Sequence, residues 1–261
     1  MMPVGGGPRE TQDRRSPGLL RNMTPLQHPP TLTSAVIKHI RDAILRGEHP
    51  PGTALPEIPL ARRLATSRGT VREALRALSD LGLIEIHPRR GAVVSILTPQ
   101  KAQEIFSLRA LLEPHAVRLA IAERKIRSED VRAMRAAFAW LERCAQHGDP
   151  FELIEADMNF HWTICAPCQH ELLMEQLGSL QVRTRQFILY TKLYRSDANG
   201  EVASHAPILA AIESREPERA EGALRAHIIE AGTLLLARMS EMALNQPESQ
   251  GPTPRPDFRT A

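Results

Sequence analysis

The sequence predicts a mainly α-helical chain in two parts. The first is a small N-terminal head of three helices with a β-hairpin, and the second is a C-terminal all-α bundle of about six helices. Three observations support this. The chain is 42% hydrophobic but only 4% aromatic, a balance that suits Leu/Ala-rich helix packing better than a β-sandwich. Apolar residues recur at helical spacing through most of the interior, whereas β-branched runs flanking a turn occur once, at 83–87 and 92–96 around Pro88-Arg89-Arg90-Gly91. Finally, 261 residues suffice for two ordinary domains.

The elements follow in order. Residues 1–30 are rich in Gly, Pro and polar types without periodicity and read as a disordered N-terminal tail. Residues 31–97 form the head. Val36, Ile37, Ile40 and Ile44 make one helix face that should end at Gly47, and Pro50-Pro51-Gly52 is a turn. Leu60 and Leu64 mark a short second helix. Ser67 is a good N-cap for a third, whose inward face is Val71, Ala74, Leu75 and Leu78. The two short strands then pack on these helices as a hairpin.

No strand signal recurs in residues 98–243. Ile105, Leu108, Leu112, Ala116 and Leu119 line a long helix with a kink expected at Pro114. Val131, Met134, Phe138 and Leu141 line the next. Asp149-Pro150-Phe151-Glu152 has the form of a capping box with Pro at the first helical position, opening a helix through Asp157 and His161. Further helices are expected near 170–194, 201–214 and 217–243. Residues 244–261, with four prolines, read as a second disordered tail.

Charge is distributed unevenly. Residues 31–97 hold ten basic and six acidic side chains; residues 98–243 hold 17 basic and 20 acidic. A basic head on an acidic body fits a phosphate-binding module joined to one that does not bind DNA. No run approaches the roughly 18 apolar residues of a membrane span, and no apolar segment marks a secretory signal. Three cysteines, an odd number, fit a reducing cytosol, so a cytoplasmic protein with no membrane partner is expected.

Within the head, Arg68, Arg72 and Arg76 stand at four-residue steps and share one side of the third helix. Helix, tight turn, arginine-bearing helix and arginine-tipped hairpin form, in that order, a winged helix-turn-helix for reading double-stranded DNA. Arg can bond guanine bidentately or clamp a phosphate. Gly69 and Thr70 at the helix start allow close backbone approach and a hydroxyl contact, and Arg89, Arg90 and Gly91 sit at the wing tip. The plainer alternative is a solvated helix face balanced by Glu73 and Asp80.

The segment resembles the head of GntR-family transcriptional regulators. The resemblance rests on Gly52 after Pro51, Glu57, Leu60-Ala61, Ser67-Arg68, Val71-Arg72-Glu73-Ala74-Leu75, Leu78, Gly82-Leu83 and Gly91. It implies DNA contacts from Arg68, Thr70 and Arg72, helped by the wing at 89–91. The chain departs from many relatives at Ala65-Thr66, where they carry Gly-Val, and at Ile58, where some carry a DNA-contacting Arg.

In the bundle, Asp157 and His161 are four apart on one helix, and His205 and His227 lie on later helices among apolar neighbours. Each histidine alone reads as readily as a packed side chain. Together with the carboxylate they would bind a divalent first-row metal and leave a coordination position open. This region resembles the FCD effector domain of the FadR subfamily, through Leu108-Arg109, Leu112-Glu113-Pro114, Asp157, Phe160-His161, Ser204-His205, Ala211-Ile212 and Ala226-His227-Ile228. The resemblance implies that Asp157, His161, His205 and His227 hold a metal, with Zn the default and Ni, Mn and Fe not distinguished. It also implies a small carboxylate effector beside the metal. Arg109 is the candidate to meet that carboxylate; an ion pair with Glu104 or Glu113 at the surface is the alternative. Relatives end the turn after His161 in Gly-Asn, where this chain reads Cys165-Ala166-Pro167-Cys168-Gln169-His170. The Cys-x-x-Cys also admits a zinc knuckle with His161 and His170, or a redox switch.

These readings give a ligand-responsive transcriptional regulator, a repressor and homodimer on a palindromic operator, and not an enzyme. One rival is a metal-dependent hydrolase tethered to DNA, but the chain has neither His-Glu-x-x-His nor Glu-x-x-His. The other is a regulator that senses the metal itself.

Overall fold

A computed structural model of the chain describes residues 31–147, 149–192 and 198–244. Both tails assigned from sequence, apart from Leu244, lie outside the described residues.

In the head, α1 (Leu32–Leu45) buries Val36, Ile40 and Ile44 and ends as expected at Gly47, whose φ of +80° only glycine adopts freely. The chain then turns into β1 (Ala54–Leu55), α2 (Glu57–Arg63), α3 (Arg68–Asp80), β2 (Ile84–His87) and β3 (Gly91–Val94). Ser67 caps α3, its hydroxyl accepting from the Thr70 N–H at 3.0 Å. Val71, Ala74, Leu75 and Leu78 face inward, as their spacing predicts.

The expected hairpin is instead a three-stranded antiparallel sheet in the order β1-β3-β2. Ala54 pairs with Val93 and Leu55 with Ala92. Two residues are too few for an alternating pattern, so the strand carries no sequence signal. It forms because the Pro51-Gly52 turn brings the chain back to the free edge of β3, where Leu55 is buried in the head core.

The bundle comprises α4 (Pro99–Ala122), α5 (Ser128–His147), α6 (Pro150–Cys165), a 3-10 turn at Ala166–Cys168, α7 (Glu171–Thr191), α8 (Ala198–Glu213) and α9 (Pro217–Leu244). The described residues thus contain the six expected bundle helices. Phe160, Phe187, Ile208, Leu224 and Leu235 are among the buried residues of its core. Asp149 caps α6 with Pro150 at the first position, accepting from the Phe151 N–H at 2.9 Å. No described helix is long and apolar enough to cross a membrane.

Pro114 lies inside α4, which continues unbroken to Ala122. A proline has no N–H for the carbonyl four residues back, here Ala110. Arg225 on α9 supplies the missing donor, its Nη1 reaching the Ala110 oxygen at 2.9 Å. The proline is therefore tolerated by a tertiary contact, and the same contact ties α9 to α4.

Head and bundle meet along α7. Val182 and Leu189 of α7 and Phe151 of α6 pack on the head core. Arg183 Nε donates to the Leu81 carbonyl at 3.1 Å, and a Cβ at Gly82 would collide with that guanidinium. These contacts run from the end of the arginine helix directly onto a helix that also packs against α6.

Candidate metal centre and nucleic-acid interface

The helix α3 presents Arg68, Arg72 and Arg76 to solvent, opposite its buried face. Two of the three are not loose. Glu57, at the start of α2, receives Arg72 Nε at 2.9 Å and Nη2 at 2.8 Å, and Arg68 Nε at 3.1 Å. The hydrogen bonds from Arg72, with help from Arg68, outweigh the opposing effect of burial and hold the Glu57 carboxyl down at about 2. The Thr70 hydroxyl stands 2.9 Å from Ser67 Oγ at the cap. Arg76, Arg89 and Arg90 make no ion pair among the described residues and project as exposed cations. The counter-ion of the arginine face is thus Glu57, and Glu73 instead accepts from Thr33 at 3.2 Å. In the wing, Arg89 (φ +67°) and Gly91 (φ +76°) adopt left-handed backbone to close the turn between β2 and β3.

One departure from the family pattern falls at Ala65, two residues before the Ser67 cap. Ala65 has φ +48°. Its N–H donates to Arg62 O and that of Thr66 to Ala61 O, the two bonds of a Schellman motif ending α2. Glycine suits that residue better than alanine, so the Gly-to-Ala change leaves the geometry in place and adds strain. Gln169 (φ +53°) likewise takes a left-handed conformation at the end of the turn that follows α6.

In the bundle His161, His205 and His227 converge, and Asp157 stands beside the first two. Asp157 and His161 are buried one turn apart on α6, His205 is buried on α8, and His227 on α9 is partly buried. One ligand atom from each of His161, His205 and His227 lies within 4.8 Å of the others, the sole such trio of His, Cys or acidic donors among the described residues. The Nε2 atoms of His161 and His205 are 3.3 Å apart. Two nitrogens at about 2.0–2.1 Å from one tetrahedral metal stand about 3.3 Å apart as well. Asp157 Oδ1 lies 2.8 Å from His205 Nε2 and 3.6 Å from His161 Nε2. Yet this buried oxygen accepts no hydrogen bond. Three imidazoles with ligand atoms this close and a buried carboxylate beside two of them are the donor types and spacing that fit a divalent cation.

The electrostatics agree. Burial, reinforced by His205 and His161 alongside, lowers the His227 imidazole to about 2, which keeps it neutral with a lone pair to donate. Burial would raise Asp157, but the adjacent His161 and His205 outweigh it and hold the carboxyl well below the usual range.

A residue missed from sequence stands behind this cluster. Glu113 Oε2 lies 2.6 Å from His161 Nδ1, and its Oε1 accepts from Arg109 Nε at 2.6 Å. The carboxylate is buried, and burial alone would raise it; Arg109 and His161 reverse that and hold it at about 2. An ionised Glu113 accepts the Nδ1–H, which turns the Nε2 lone pair toward Asp157 and His205. The signal for it was the four-residue step from Arg109 to Glu113 on one helix. Arg109 itself is buried, with its Cζ 5.2 Å from the Phe106 ring. The ion pair with Glu113 exists, but inside the bundle and not at the surface. The terminal nitrogens of Arg109 hydrogen-bond to none of the described residues.

The Cys165-Cys168 pair is not gathered with His161 and His170 as a knuckle. His170 caps α7, accepting from the Leu173 N–H at 3.3 Å, and His161 is taken by Glu113. All three cysteines are buried free thiols. Burial pushes the Cys165 thiol well above its ordinary range, which disfavours thiolate chemistry.

Comparison with known proteins places both parts. Residues 32–94 match the model of bacterial regulatory proteins of the gntR family, and residues 104–230 match the FCD domain. A protein of Paenarthrobacter nicotinovorans, described as a probable D-xylose utilization operon transcriptional repressor, is 32% identical over 200 residues, 76% of this chain and 86% of that one. The chain belongs to the gntR family of bacterial regulatory proteins. The HTH-type transcriptional repressor GlaR of Escherichia coli K12 is also 32% identical, over 73% of this chain and 89% of its own length. Among solved structures, E. coli McbR/YncC shares the fold with a TM-score of 0.68 at 23% identity, over 80% of this chain and 99% of that one. This GntR-family protein is accordingly a DNA-binding transcriptional regulator and not an enzyme, and a GntR head followed by an FCD domain is the arrangement of the FadR subfamily. The hydrolase reading is thereby set aside.

Proposed function

We propose that this GntR-family regulator is a metabolite-responsive repressor of a catabolic operon. Its bundle, residues 98–243, holds a divalent metal through Asp157, His161, His205 and His227, and a small carboxylate binds beside that metal. The observation that carries the reading is the buried, unsatisfied Asp157 oxygen set against the Nε2 atoms of two histidines, one of them oriented by Glu113. A bound divalent cation would supply a Lewis-acidic coordination site for a carboxylate oxygen. Arg109 would meet the same anion: its Nε is engaged by Glu113, while its terminal nitrogens keep donor capacity.

The head, residues 31–97, reads DNA with Arg68, Gly69, Thr70, Arg72 and Arg76 in the major groove and Arg89, Arg90 and Gly91 on the flanking groove or backbone. The protein acts as a homodimer, since a two-fold pair of heads matches a palindromic operator. A relative from Bacillus subtilis named as a gluconate operon transcriptional repressor supports a sugar-derived acid as effector. Effector binding shifts the balance between head arrangements that do and do not match the operator spacing. The contacts of α7 with both α6 and the head provide the connection.

The test measures metal content of purified full-length protein by mass spectrometry, then operator binding in the presence of metal and of gluconate-like acids. One equivalent of metal per chain, lost in Asp157→Asn, and an operator affinity that changes only when an acid is added to the metal-loaded protein, is the expected result. A full response to metal alone would replace this reading with direct metal sensing.

A further inference from the structure

We infer that Ile58 is a specificity-determining residue of the DNA-binding head, one that takes the 5-methyl group of a thymine in the major groove. The inference rests on the reading of α3 as the helix that enters that groove.

Glu57 opens α2, and its carboxylate accepts across the turn from Arg72 at 2.8 and 2.9 Å and from Arg68 at 3.1 Å. The first turn of α2 is therefore pinned beside the arginine face of α3. Ile58 is the next residue. Leu60 and Ala61 carry α2 into the head core, and Ile58 is left 48% exposed. Along α2 and α3 it is the one large hydrophobic side chain exposed to that degree among the described residues. Arg62, one turn further along the same side of α2, is exposed as well. An aliphatic side chain thus stands with one arginine a turn away on its own helix and two more bound to its neighbour.

A single exposed isoleucine needs no explanation on a surface that stays in water. This one continues the surface that leaves water when the arginine face meets DNA. The arginines around it can bond phosphates or guanine. Ile58 has no donor or acceptor and can do neither. Among the unmodified bases the major-groove edge offers one apolar group, the thymine methyl. Against any other base edge, Ile58 would cover a polar group and leave it unpaired. Against the methyl it removes apolar surface from water, worth about fourfold in affinity for one methyl group. Arg68 and Arg72 share the Glu57 carboxylate that precedes Ile58 in the chain, so the thymine lies in the same half-site as the base pairs those arginines contact and close to them.

Selection of duplexes from a random pool by the full-length protein locates the operator, and the test is then a cycle between one side chain and one methyl group. Ile58→Ala leaves the buried residues of α2 in place. It should lose the preference for thymine at one position of each half-site and keep the rest of the selected sequence. Replacing that thymine by deoxyuridine removes only the methyl. This should weaken binding by the unchanged protein about fourfold and leave binding by Ile58→Ala as it was. Arg72→Ala, by contrast, should lose specific binding altogether, so failure of the α3 reading and failure of this one are separable. An operator preference in Ile58→Ala identical to that of the unchanged protein would overturn the proposal, as would a deoxyuridine penalty that is absent at every thymine or equal in the two proteins. A protein that selects no sequence would remove the α3 reading and this proposal with it.

Discussion

Glu113 and His161 face each other across α4 and α6 at 2.6 Å, both buried, and this contact decides which nitrogen of the imidazole looks into the centre. With Nδ1–H held by an ionised carboxylate, Nε2 is left as a lone-pair donor beside Asp157 and His205. Arg109 keeps that carboxylate charged. The proposed metal centre is therefore a layered arrangement in which an inner set of donors depends on a buried ion pair outside it.

Replacing Glu113 tests that dependence. Glu113→Gln keeps the shape but removes the charge that balances Arg109. Losing one partner of a buried pair costs about 3–5 kcal/mol, and losing an outer hydrogen-bond partner lowers metal affinity about 10–100-fold. Thermal melts with and without added metal separate the two effects. An unchanged metal affinity in Glu113→Gln would show that His161 needs no such orientation.

The arginine face makes a different prediction. Arg72→Ala should reduce specific operator binding at least a hundredfold without unfolding the head, since Arg72 is exposed and its loss leaves the inward face of α3 intact. Glu57→Gln should weaken specific binding about tenfold and raise non-specific binding, because Arg68 and Arg72 lose the carboxylate that aligns them. The folded Glu57 carboxyl lies below its ordinary value. Its stabilising contribution is therefore present above the unfolded value near 4.5 and is lost only as pH falls toward about 2. Operator binding measured between pH 6 and 8 should show no titration from this clamp. Retention of full specificity in Arg72→Ala would remove α3 from the role of reading helix.

Ala65 offers a stabilising substitution. Its φ of +48° is strained for alanine and free for glycine. Ala65→Gly should stabilise the head by about 1 kcal/mol, the strain of a left-handed alanine less the extra freedom of glycine in the unfolded chain. Chemical denaturation of the two proteins decides it; a destabilised Ala65→Gly would mean that the end of α2 differs from the Schellman geometry.

Pro114 and Arg225 form a double-mutant cycle. Arg225→Met leaves the Ala110 carbonyl without a donor and should destabilise the bundle by about 1–3 kcal/mol. In a Pro114→Ala background the backbone N–H at 114 can serve that carbonyl, so the same substitution should cost markedly less. Equal costs in both backgrounds would show that Arg225 acts through its other contacts, such as the 2.7 Å pair with Glu221.

Much of this protein was legible along the chain. The helices announced themselves through the period of their apolar residues, the head through Ser67 and three arginines at four-residue steps, and the centre through Asp157 and His161 one turn apart. Such signals survive in sequence because neighbours on a helix face lie three or four residues apart. What the tertiary structure alone decided lies between distant segments. It brought His205 and His227 to His161, set Glu113 behind them, folded Ala54–Leu55 onto β3, lent Arg225 to the carbonyl freed by Pro114, and tied Glu57 to Arg68 and Arg72. Each of these is a contact whose geometry no periodicity encodes, because it depends on how whole elements pack and on which buried polar group finds its partner there.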